Sequence, residues 1–73
     1  MILLKRGDVL VNKSGRKFVV AYIKRSDDHE DRIKLYSPKH RVILTGYYTE
    51  KDLREGVLAT TGETASLDDV ADG

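Results

Sequence analysis

Residues 32–48 read RIKLYSPKHRVILTGYY. Apolar residues alternate with polar ones on both sides of Ser37-Pro38-Lys39-His40. That segment is a turn signal, because Pro presets φ near −65°. The pattern predicts a β-hairpin. Placing Tyr36 opposite Arg41 sets Leu35 against Val42, Lys34 against Ile43 and Ile33 against Leu44. One face is then apolar, and Arg32, Lys34, Tyr36, Arg41, Ile43 and Thr45 share the other. A slip of one residue would destroy this match, since side chains alternate with a period of two.

Upstream, residues 26–31 (SDDHED) are too polar for a sheet and read as a loop. Residues 17–25 (KFVVAYIKR) read as a strand rich in β-branched and aromatic side chains. Residues 13–16 form a turn in which Gly15 takes positive φ, as in a type I turn followed by a bulge. Residues 8–12 (DVLVN) form the first strand. Pairing Asn12 with Lys17 and Arg25 with Arg32 carries one buried face through both hairpins. The expected core is Val9, Val11, Phe18, Val20, Tyr22, Ile33, Leu35, Val42, Leu44 and Leu53.

Downstream, Thr49 is a suitable N-cap for one short helical turn. Glu50 and Asp52 suit its positive end, Arg54 its negative end, and Gly56 stops it. Residues 57–60 are a candidate fifth strand. From Thr61 onward the composition is small, polar and acidic, which predicts a disordered tail over 61–73. The alternative is that Leu67 and Val70 form a helical turn that docks.

Four strands, one helical turn and a short fifth strand resemble the SH3-like small barrels of KOW and Tudor type. The opening Lys5-Arg6-Gly7-Asp8-Val9 and the turn at Gly15 are similar to the way such domains begin, and the resemblance covers residues 7–60. It implies a mainly β, five-stranded barrel over residues 1–60 followed by the acidic tail. An OB-fold is the alternative, usually built on longer strands.

The length of 73 residues predicts one domain with a modest core. There is no cysteine, hence no disulfide and no thiolate metal site. The apolar run Ile2-Leu3-Leu4 is too short for a signal segment or a membrane span, so a cytoplasmic protein without membrane contact is expected. Size and composition fit an accessory or regulatory protein of a prokaryote or phage. Net charge is +1, but residues 1–56 hold thirteen bases against eight acids, and the rest carries four acids and no base. Such asymmetry points to contact with nucleic acid or an acidic surface, or to an acidic tail.

No catalytic or cofactor site is expected. Ser14, Ser26, Ser37 and Ser66 fall in turns or the tail, outside any nucleophile elbow. His29 and His40 sit in separate loops. The acids around His29 lack the alternate spacing and central Gly of a calcium loop, so no metal is expected. The constellation that carries chemistry is the outer face of the hairpin. Arg32, Lys34 and Arg41 surround Tyr36, with Tyr47 on the same face and Lys39 at the tip. Bases interleaved with aromatics neutralise phosphates while the rings stack on bases. The expected function is therefore a non-enzymatic binding module for nucleic acid. The alternatives are a protein partner or self-association through the same face, and a surface whose Lys and Arg stems simply cover apolar atoms. The sequence leaves the oligomeric state open.

Overall fold

The computed structural model describes residues 3–67. Five antiparallel strands make one sheet: β1 (Asp8–Asn12), β2 (Lys17–Lys24), β3 (Arg32–Ser37), β4 (Val42–Ile43) and β5 (Leu58–Thr64). Their order is β4-β3-β2-β1-β5, and helix α1 (Glu50–Arg54) lies between β4 and β5 in the chain. β4 and β5 are edges, so the sheet is open where a closed barrel was expected. β1 and α1 fall where the sequence placed them. β2 ends one residue early, β4 is two residues long, and β5 continues to Thr64.

All three expected registers are wrong, each for a local reason. At the first turn the Asn12 side chain intervenes. Its Oδ1 accepts hydrogen bonds from Ser14 N (3.1 Å), Arg16 N (2.9 Å) and Ser14 Oγ (2.8 Å), while Asn12 N donates to Arg16 O. The turn closes one residue sooner, over 13–15, with Gly15 at φ +87°. Val11 therefore pairs with Lys17, Leu10 with Phe18 and Val9 with Val19. The slip exchanges faces. Leu10 joins Phe18 and Val20 in the main core, and Val9 turns to the opposite side.

Between β2 and β3 the pairs are Val20 with Leu35, then Tyr22 with Lys34. Ala21 is the extra residue of a bulge. Such a residue reverses the side-chain alternation beyond it. Val20 stays in the core, Tyr22 is thrown onto the second face, and Ile23, opposite Ile33, returns to the core face. The third hairpin closes over four residues, 38–41. Arg41 takes φ +55° and donates its N–H to Ser37 O at 2.7 Å. Tyr36 then pairs with Ile43 and Ser37 with Val42. This is a shift of two residues, so the faces are kept. Val42 nevertheless lies at a short edge and is 49% exposed rather than buried.

Because β4 and β5 occupy opposite edges, residues 44–57 must cross the sheet. They do so over the face made by Leu10, Phe18, Val20, Ile33, Leu35 and Leu58, packing Leu44, Tyr48 and Leu53 against it. Tyr48 and Ile33 exchange both backbone hydrogen bonds, at 2.6 and 2.9 Å, which fixes the path. α1 starts where Thr49 N donates to Asp52 Oδ2 (2.8 Å) and stops at Gly56, φ +77°. Phe18, Val20, Ile33 and Leu35 are buried as expected, whereas Val11 and Tyr22 are only half-buried. Each fully buried leucine contributes about 1.5–3 kcal/mol relative to an exposed one.

The second face holds a smaller cluster of Val9, Val19 and Leu67, with Tyr36 half-buried against it. Two contacts bring Leu67 there. Ala65 N donates to Gly7 O at 2.8 Å, and Gly7 N donates to Val20 O at 2.9 Å. Gly7 sits at φ +96°, and a Cβ at that position would lie 3.0 Å from Ala65 O, so any larger residue there is strained. Arg6 completes the clamp, donating through Nη1 to Ala21 O at 2.7 Å and through Nη2 to Leu67 O. The carbonyl displaced from the ladder by the bulge is thereby satisfied. Order thus extends past the expected boundary at Thr60: β5 reaches Thr64 and Leu67 is buried. The rest of the expected tail, 68–73, lies outside the described residues.

Candidate nucleic-acid interface

Alternation along β3 turns Arg32, Lys34 and Tyr36 to the second face, as the sequence predicted, but the three do not form one surface. Tyr36 lies opposite Val19 and packs against the cluster that contains Leu67. It belongs to the small core more than to a platform in solvent. Arg41, expected on the same face, is at positive φ in the turn, and Lys39 is exposed beside it. Both are at the end of the sheet away from Arg32.

Arg32, Lys34 and Tyr47 do come together. The Arg32 guanidinium carbon lies 4.5 Å from the centre of the Tyr47 ring. This is a cation–π contact. Lys34 Nζ donates to Gly46 O, pinning the loop that carries Tyr47. Tyr47 remains 51% exposed. Sequence reasoning missed two neighbours. Lys24 pairs with Arg32, and Tyr22 pairs with Lys34. Directly opposed residues of antiparallel strands share a face. The second face therefore carries Lys24, Arg32 and Lys34 with Tyr22 and Tyr47, and no carboxylate is opposite any of the three bases. Only the bulge at Ala21 puts Tyr22 there, and nothing in the sequence marks that bulge.

The surrounding charges are organised. Arg25 pairs with Asp31 within the loop between β2 and β3. Lys17 Nζ donates to Glu63 Oε1 at 2.8 Å. That hydrogen bond, reinforced by the ammonium charge, holds the Glu63 carboxyl below the usual carboxylate range. His29 Nδ1 lies 2.7 Å from Glu30 O. His29 and His40 occupy loops at opposite ends of the sheet and share no site. Among the described residues no cluster of His, Asp and Glu is arranged to hold a metal ion. Among them, too, no helix is long and apolar enough to cross a membrane. The depressions beside the sheet are open. One of about 350 Å³ is lined by Asn12, Lys13, Ser14, Tyr48, Val57 and Leu58.

No protein-family model, no curated protein and no solved structure matches this chain.

Proposed function

We propose that the protein is a non-enzymatic binding module that holds nucleic acid on the second face of its sheet. The observation that carries this reading is the Arg32–Tyr47 stack, flanked by Lys24 and Lys34 and faced by no carboxylate. Lys24 and Arg32 are directly opposed and Lys34 lies two positions along β3 on the same face, so the like charges repel one another, and a polyanion relieves that repulsion. Tyr47, half open to solvent and held by Arg32, offers a ring for a base to stack on. We take the five-stranded sheet and its helical turn as an opened form of the SH3-like small barrel. The host we propose is the cytoplasm of a bacterium or a phage-infected cell.

Fluorescence anisotropy with single-stranded and duplex oligonucleotides over a salt series tests this. Tyr47→Ala should weaken single-strand binding by about 1–3 kcal/mol with the salt slope unchanged. Arg32→Gln should flatten the slope by about one contact. A wild-type protein with no salt-dependent affinity for either form would end the proposal. A second reading, self-association or a protein partner, is favoured by the exposure of Val42 and Tyr47 near the β4 edge. Sedimentation velocity over a concentration series separates the two.

A further inference from the structure

The meander has an electrical consequence that composition alone hides. In an antiparallel sheet, alternate connections fall at the same end. The β1–β2 and β3–β4 turns share one end, and the β2–β3 loop occupies the other. Val19 pairs with Tyr36, so the chain leaving β3 at Ser37 runs alongside the chain starting β2 at Lys17. Residues 12–17 (NKSGRK) and 38–42 (PKHRV) contain no carboxylate. Lys13, Arg16, Lys39 and Arg41 are all exposed there, and none has a side-chain hydrogen bond or ion pair among the described residues. At the opposite end, residues 25–31 carry Asp27, Asp28, Glu30 and Asp31. The sheet is polarised along its strands.

Resting on the proposed nucleic-acid reading, we infer that the paired turns are the main phosphate-contacting element, with Lys13, Arg16, Lys39 and Arg41 neutralising the backbone. The acids of the β2–β3 loop lie beyond Arg32 and Lys24, whereas the turn end gathers four exposed bases on two segments that carry no carboxylate. Neighbouring strands are about 4.8 Å apart, so the centres of the two turns, two strands apart, are about 10 Å apart. A duplex presents one charge per about 1.7 Å of axis, so that span covers about six phosphates. Arg32 and Tyr47 then orient bases while the turns grip the backbone.

The test is a quadruple variant, Lys13→Gln, Arg16→Gln, Lys39→Gln and Arg41→Asn. Asn is chosen because it tolerates the positive φ at position 41. Anisotropy against a labelled duplex is read as log affinity against log salt. The slope should fall by about 3–4, four contacts at about 0.9 each. An unchanged melting curve confirms the fold. Amide shifts of the wild-type protein on adding duplex should concentrate at 13–17 and 38–41, which needs no variant. A wild-type slope in the quadruple variant, with loss of slope in Arg32→Gln plus Lys34→Gln, overturns the inference and leaves the proposed function standing. A wild-type protein that binds no nucleic acid overturns both. Equal or tighter binding of polyglutamate at the same ionic strength would assign the turns to an acidic protein partner instead, and so also overturns the inference.

Discussion

Arg6 donates through Nη2 to the carbonyl of Leu67, 3.3 Å away and sixty-one positions along the chain. The same guanidinium holds the carbonyl of Ala21, so one side chain joins the first segment, the bulge in β2 and the end of the described chain. Leu67 is seated on Val9 and Val19 as a result.

Leu67→Ala should therefore destabilise the fold by about 2 kcal/mol, the low end of the range for buried leucines because the cluster is small. Arg6→Ala removes donors to two carbonyls and should cost a comparable amount, since hydrogen bonds from charged groups contribute about 1.5–3 kcal/mol. A urea-unfolding double-mutant cycle should show coupling between them. Strict additivity would mean that Arg6 does not position Leu67. Deleting 62–73 should be destabilising as well, because it removes the end of β5 together with Leu67.

A pH titration gives a second check. The Lys17 ammonium, donating to Glu63, lowers the carboxyl's pKa in the folded state. A group with a depressed folded pKa adds stability above its unfolded pKa, and that contribution is lost as pH falls through the folded value. Both side chains are more than half exposed, so the effect on stability is small and screened by salt. The midpoint itself is the better readout. In a carbon-detected NMR titration Glu63 should titrate below a free glutamate, and Lys17→Met should bring it back up. An identical midpoint in both proteins would show that the pair does not persist in solution.

Particular residues show why some of this fold is legible in sequence and some is not. Thr49, Asp52 and Gly56 act within one turn of helix, and α1 falls where they place it. Gly15 and Pro38 mark their turns correctly for the same reason. Register depends on more than turn composition. Asn12 closes its turn early by bonding two backbone N–H groups, and Arg41 adopts a conformation usually left to glycine or asparagine. Neither choice follows from hydrophobic alternation, which fits either register about equally well. Ala21 is harder still. The bulge is stabilised by Arg6, fifteen positions away, and it alone decides that Tyr22 faces outward with Lys34. The candidate interface was thus half visible. Arg32, Lys34 and Tyr47 follow from local alternation, whereas Lys24, Tyr22 and the covering of Tyr36 depend on contacts distant in sequence.

The crossing of residues 44–57 from one edge to the other also sets an order of assembly. β1, β2 and β3 meet through short connections, and such local contacts form early at small entropic cost. β5 reaches β1 only when Leu58 finds Asn12, after the whole intervening chain has been placed. Docking of β5 should then follow the rate-limiting barrier. In stopped-flow chevrons Leu58→Ala should mainly accelerate unfolding, with a φ-value near 0, while Val20→Ala should slow refolding. A φ-value near 1 at Leu58 would reverse that order. On this route the edge strand β5 is the part of the sheet that leaves first and returns last.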